Sequence, residues 1–167
     1  MLNNLFPNVR PRRLRKNKTI RNLVSETKLN KSKLIQPLFV SDSSPEKQSI
    51  TTMPGQFIHS RDSIFFEIDE LQKLGINTIA LFPNISQTKK DNDGTEALKP
   101  DNFMCKLVSE IKDRFNEIVL VTDVALDPYT TTGHDGIIEN NDVDNDKTLK
   151  ALEEMSVNLA SSGSDII

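Results

Sequence analysis

Apolar positions follow two rhythms along this chain. Residues 34–40 (LIQPLFV), 78–82, 118–121 and the closing 165–167 are short apolar runs of strand composition. Between them, apolar residues recur at helical spacing: Ile64, Ile68 and Leu71; then Met104, Leu107, Val108, Ile111 and Phe115; then Leu149, Leu152, Met155 and Leu159. Each stripe has its boundary signals. Ser60 and Gly75 bracket the first, Asp101 after Pro100 opens the second, and Asp146 and Gly163 bracket the third. The uninterrupted run at 118–121 predicts a strand buried on both faces. Pro37 removes a ladder donor, which suits an edge or a strand entry. Residues 19–26 predict a short helix, and 41–55, broken by Pro45, Pro54 and Gly55, a polar excursion. Strand, helix, strand, helix, strand, helix and the start of a strand form the expected order, which implies a parallel sheet with crossover helices.

Composition narrows the setting. In 167 residues the chain is 36% hydrophobic and 27% charged, and no apolar run approaches the ~20 residues of a membrane helix. The beginning, MLNNLFPNV, has no apolar core behind a charged start, so neither a secretory signal nor a membrane partner is expected. With Cys105 as the single cysteine, no internal disulfide or paired-cysteine metal motif is available. The expected location is cytoplasmic.

Charge is uneven. The first 25 residues hold seven basic side chains (Arg10, Arg12, Arg13, Arg15, Lys16, Lys18, Arg21) and no acid, so a net charge of −3 leaves −10 on the rest. Without aromatic interleaving or a helix-turn-helix pattern, the arm is not read as a nucleic-acid binder. It lacks the serine-rich character of a transit peptide. The expectation is a solvated or intersubunit arm over 1–32, followed by a domain over 33–167.

Candidate chemistry concentrates at 118–136, IVLVTDVALDPYTTTGHDG. The strand delivers Thr122 and Asp123 to its C-terminal end, and Asp127, Tyr129, His134 and Asp135 follow within a few residues. A parallel α/β fold keeps its reactive groups at such strand ends. Two other features compete. Asp142, Asp144 and Asp146 with Glu153 imitate a calcium loop, but Lys147 stands where the turn needs glycine, so an acid-rich helix start is preferred. Cys105 lies beside an apolar stripe and is read as a small buried residue. Lys73, Lys106, Lys112 and Lys150 on helices, and Lys89 and Lys90 in a loop, are read as solvated charges.

The motifs RPRRLR, LIQPLFV, MPG at 53–55, GINTIALFP, DGTEALKPDN at 93–102, TDVALDPYTTTGHDG at 122–136 and NDKTLKAL at 145–152 occur in one order along the chain. In that order they resemble the porphobilinogen synthase, or delta-aminolevulinic acid dehydratase, family. The resemblance implies a partial TIM (β/α)8 barrel: about the first three βα units plus the start of the next strand, behind an extended N-terminal arm. The closing SGSDII resembles the family's AGADIV, which there runs on into an APSDMMDGR segment. The chain is therefore expected to be the front part of a longer protein.

The family condenses two molecules of 5-aminolevulinate into porphobilinogen for haem and other tetrapyrroles, using two lysines that form Schiff bases. By resemblance both lysines lie downstream, so this chain alone is expected to be inactive. The alternative is a non-catalytic remnant or oligomerisation protein derived from the family. Asp123 matches an active-site aspartate. Ala125, Asp127 and Asp135 match the zinc-binding cysteines of zinc-using relatives, which makes zinc unlike this branch and places an activating magnesium site downstream. Thr131 and Thr132 stand where relatives read Ser-His, so the role of that histidine is lost. The arm is expected to join a homo-oligomer.

Overall fold

The three apolar stripes become three helices that share one buried core with a single sheet. The computed structural model describes residues 11–167, which fall into two compact units, one through Asn30 and one from Lys31 to Ile167. Arg10, expected in the basic arm, lies outside the described residues.

In the first unit a 3-10 helix, Pro11–Arg15, precedes α1, Lys18–Leu23. The Asn17 side chain caps α1 by accepting the Ile20 N–H at 2.9 Å. The helix stops short of the expected residue 26: Val24 is its C-cap, with its N–H bonding Ile20 O, and beyond it Ser25 Oγ donates to Thr27 O.

The second unit runs β1 (Ile35–Ser41), β2 (Gln48–Ser49), β3 (Phe57–His59), α2 (Arg61–Lys73), β4 (Thr78–Asn84), α3 (Phe103–Arg114), β5 (Val119–Thr122), β6 (Ile138–Glu139), β7 (Asp142–Val143) and α4 (Asn145–Ser161). The main sheet has the order β2-β3-β1-β4-β5. All its pairings are parallel except that of β2 with β3, so the polar excursion after β1 returns as an antiparallel strand. Beyond β5, Val121 bridges Ile166 in parallel, and the Thr122 N–H bonds Ile166 O at 3.0 Å. The sheet is open; this is an α/β fold with a mostly parallel sheet.

Side chains alternate across a strand, and here the alternation divides the sheet sharply. Leu38, Val40, Ile79, Leu81 and Leu120 are buried in one cluster with Ile64, Ile68 and Leu71 of α2, Met104, Leu107, Val108 and Ile111 of α3, and Met155 and Leu159 of α4. On the opposite face Phe39 and Phe82 meet with ring centroids 5.7 Å apart, yet Phe39, Ala80, Phe82, Val119 and Val121 are only half-buried. The strand expected to be buried on both faces is therefore covered on one. Successive strands advance in one direction from β1 to β4 to β5, and right-handed crossovers then put α2, α3 and α4 on the same side.

Helix ends follow the sequence signals with small displacements. Ser60 caps α2 through a reciprocal box with Ser63. The next cap is Asn102 rather than Asp101: its amide oxygen accepts the Cys105 N–H at 2.9 Å while its nitrogen donates to Ala97 O and Lys99 O. A carboxylate could accept but not donate, so Asp101 stays outside, within 3.4 Å of Lys106. Asp144, not Asp146, caps α4 by accepting the Lys147 N–H at 3.0 Å. Leu149, expected to point inward, is 64% exposed, and Ala151 takes its place in the core.

Candidate functional site

The C-terminal ends of β1, β4 and β5 lie side by side, and the loop that follows β5 crosses beside them. Its path is set by burial: Leu126, Tyr129 and Thr130 are at most 1% exposed. One edge of the loop is stitched to residues after β4. The Asp91 N–H bonds Tyr129 O at 3.3 Å, the Thr131 N–H bonds Asp91 O at 2.8 Å, and Thr131 Oγ1 bonds Asn92 Oδ1 at 2.6 Å. Gly94, at φ +64°, approaches this stitch closely; a Cβ there would lie 3.3 Å from Leu126 Cδ2.

At these strand ends opens a cleft of ≈ 490 Å³. Phe39, Met53 and Ile58 supply an apolar wall, while Asn84, Lys90 and Asp127 supply polar groups. Burial raises the pKa of Asp127, and the charges of Asp135 and Asp123 raise it further. The structure thus brings the three loop carboxylates within electrostatic reach of one another. Of the three, Asp127 lines the cleft, whereas Asp123 and Asp135 are exposed.

The remaining sequence-selected residues have local partners. Tyr129 is a core residue at 1% exposure; burial, followed by the charges around Cys105 and Glu96, pushes its pKa up, and its Oη has no hydrogen-bond partner among the described residues. His134 Nδ1 accepts the Gly136 N–H at 3.1 Å, and the His134 carbonyl accepts from Thr130 Oγ1 at 3.0 Å. Thr132 Oγ1 accepts the His134 N–H at 3.3 Å. Cys105 is buried at 2% exposure within α3. The residues of the calcium-like stretch serve the β6–β7 hairpin and the start of α4. Asn140 and Asn141 take positive φ at its turn, Lys147 pairs with Glu139 at 2.6 Å, and Asp144 is the cap. Among the described residues no group of three or more His, Cys, Asp or Glu side chains is arranged to hold a metal ion.

Sequence reasoning missed an ion pair beside the cleft whose acidic partner is buried. The Asp42 side chain, just past β1, is 1% exposed and lies 2.9 Å from Lys89 Nζ. It also accepts the Ser86 N–H at 2.8 Å and Ser86 Oγ at 3.1 Å. Burial alone would raise its pKa, but Lys89 and Ser86 outweigh that and hold it below the ordinary 3.8. Lys89, read as a solvated charge, is therefore a structural cation. Glu96 joins the group, with Lys99 at 2.6 Å and Lys89 at 4.0 Å. The sequence signal was faint: an Asp immediately after a strand, with its partners more than 40 residues away.

A family profile for delta-aminolevulinic acid dehydratase matches residues 8–167. Delta-aminolevulinic acid dehydratase of Chlamydia pneumoniae is 40% identical over 158 residues, covering 95% of this chain and 48% of that protein. The enzyme of the same name from Helicobacter pylori is 42% identical over 159 residues, covering 95% and 49%. The crystal structure of delta-aminolevulinic acid dehydratase from Toxoplasma gondii, in complex with the reaction product porphobilinogen, superposes with a TM-score of 0.88 at 37% identity, covering 93% of this chain and 45% of that one. The chain spans about half the length of the curated relatives it matches. Continuous agreement in sequence and fold over nearly its whole extent makes this chain a member of the delta-aminolevulinic acid dehydratase family.

Proposed function

We propose that the chain forms the first part of a porphobilinogen synthase, in which two molecules of 5-aminolevulinate are condensed to porphobilinogen with loss of water. The observation that carries this reading is the cleft at the C-terminal ends of β1 and β4, rimmed by the Asp127 loop, in a fold that matches a relative solved with porphobilinogen. The half-covered sheet face, with all its helices on the other side, supports a partial TIM barrel whose interior would be lined by Phe39, Phe82 and Val121. Residues 33–167 are the incomplete barrel domain and 1–32 the basic arm, which engages another subunit of a homo-oligomer.

In this reading the chain binds and positions substrate, and the two Schiff-base lysines belong to the downstream half. Asp123 stands at the end of β5 on the rim, where an exposed carboxylate can orient a substrate amine or exchange protons with it. Asp127 lines the cleft, and burial, followed by the charges of Asp135 and Asp123, raises its pKa above the ordinary carboxylate value. Asp127 and Asp135 offer oxygen, not thiolate sulfur, so the donor set does not fit the zinc of zinc-using relatives; it suits a hard cation, and magnesium is assigned to the downstream half.

Two measurements test the reading. Amide resonances of residues 122–136 and of the cleft should shift on titration with 5-aminolevulinate or porphobilinogen; shifts confined elsewhere, or none at millimolar ligand, would refute it. After incubation with aminolevulinate and borohydride the mass of the chain should not change. A substrate adduct would place a Schiff-base lysine within it.

A further inference from the structure

Residues 42–56 leave the sheet after β1 and return through β2, and they carry part of the cleft wall: Ile50 and Met53 line it beside Ile58 of β3. The segment folds back on itself, with the Ile50 N–H bonded to Gln56 O at 3.0 Å, and β2 pairs Gln48 with Ile58 and Ser49 with Phe57. Lys47 ties it to the helix layer. Its Nζ lies 2.7 Å from Glu67 of α2 and 4.2 Å from the centroid of the Phe57 ring. Beside this tie stands His59. Its ring meets that of Phe57 edge-on at 6.4 Å, and its backbone is in register with the buried Val40. His59 is 2% exposed, and its Nδ1 has no hydrogen-bond partner among the described residues.

Protonation makes both nitrogens of an imidazole donors, so Nδ1 would then be a buried donor without an acceptor. The surroundings of His59 also oppose its charge. β1 and β2 carry no charged side chain, and Lys47, just before β2, repels a second cation. On α2, Arg61 is engaged by Glu110, Asp69 and Glu70 by Lys73, and Asp62 is exposed. Glu67 is the acid that acts on His59, and Lys47 already occupies it. His59 directly precedes the Ser60 cap of α2, where the partial positive charge of the helix start is a further obstacle. We propose that His59 is a proton-operated latch on the 42–56 segment. As pH falls through the range in which an exposed imidazole titrates, the ring takes its proton from solvent by leaving its buried site. The imidazolium then competes with Lys47 for Glu67, β2 parts from β3, and Ile50 and Met53 lift from the cleft. Deprotonation returns the neutral ring to its site and Lys47 to Glu67. As a control on the substrate cleft, the latch rests on the function proposed above.

Amide hydrogen exchange of the whole chain without ligand, followed by NMR and corrected for the intrinsic pH dependence of exchange, reads the latch directly. One pH unit below the ordinary imidazole value of 6.5, a proton bound by the open form alone favours opening by up to about tenfold. Protection of the Ile50 amide and of the β2–β3 ladder should therefore drop several-fold between about pH 7.5 and about pH 5.5. Small additions of urea should leave this exchange unchanged, which marks local opening rather than global unfolding. His59→Leu, or His59→Gln should the leucine variant fail to fold, should lose the pH response. Lys47→Met should speed exchange of the same amides at about pH 7.5 by about twofold to fivefold, the worth of a part-exposed ion pair. Equal protection at the two pH values, a response that persists without the imidazole, or exchange that rises with urea would overturn the latch. Unchanged exchange in Lys47→Met would overturn the release of Lys47 as its working part. None of these outcomes bears on the substrate, whereas failure of aminolevulinate to shift the cleft amides refutes the substrate and leaves the latch standing.

Discussion

Neutralising Asp42 is the sharpest test of how the site is built. Asp42→Asn keeps the shape of the side chain and one acceptor for the Ser86 N–H, but it removes the charge facing Lys89. A hydrogen bond to a charged group is worth about 1.5–3 kcal/mol, and breaking a fully buried pair costs about 3–5 kcal/mol. Asp42 is buried, with its side chain 1% exposed, but Lys89 is 42% exposed and can recover water once released. The expected loss at neutral pH is therefore nearer the lower figure, about 1–2 kcal/mol for Asp42→Asn. The carboxylate titrates below 3.8 in the folded chain, so its charge stabilises the fold above the unfolded value, and that contribution fades as pH falls through the folded value. Urea unfolding followed by far-UV circular dichroism at pH 7, and again at a pH below 3.8, should show a gap between the two proteins at the first pH that shrinks at the second. A gap of the same size at both values, or none at pH 7, would refute the argument that the charge of Asp42 anchors the 86–89 loop.

Two further expectations follow from burial. Met155→Ala on α4 should cost about 2–5 kcal/mol, whereas Leu149→Ala should stay within about 0.5 kcal/mol. Chemical denaturation of the two variants therefore distinguishes the observed helix face from the one read off the sequence. His59 is 2% exposed, and its Nδ1 has no hydrogen-bond partner among the described residues; burial, and next the charge of Lys47, lowers its pKa from 6.5, against a smaller opposing pull from Glu67. As pH drops through 6.5 the unfolded chain takes up a proton more readily than the folded chain, so stability should fall, and His59→Leu should flatten the profile there.

The sequence made the repeating elements legible because their signals are local. Ser60 with Ser63, and the stripe Met104, Leu107, Val108, Ile111, are properties of a few consecutive turns, and both hold in the structure. Where the reading slipped, a distant partner decided the outcome. Asn102 displaced Asp101 as a cap because the carbonyls of Ala97 and Lys99 needed a donor. Leu149 turned outward because α4 enters the core along Ala151, Met155 and Leu159, a stripe that starts two residues, about half a turn, after Leu149. In the site, the loop after β5 was recognisable from its crowding of functional groups. The anchoring of its neighbour was not, since Asp42 meets Ser86 across 44 residues. Asp123 and Asp127, four residues apart in the motif, have different surroundings: one is exposed and the other lines the cleft.

That division within the loop has a wider consequence. Leu126, Tyr129 and Thr130 fix the loop's path by burial, and Asp91 fixes its edge by backbone hydrogen bonds. None of these constraints involves the carboxylates of Asp123, Asp127 or Asp135. Side chains on the outward positions can therefore change chemistry without disturbing the fold beneath them. Asp127 lines the cleft and Asp135 is exposed, so both carboxylates stand apart from the buried residues that hold the loop. The buried residues hold the loop in place, and the outward ones set the chemistry it presents.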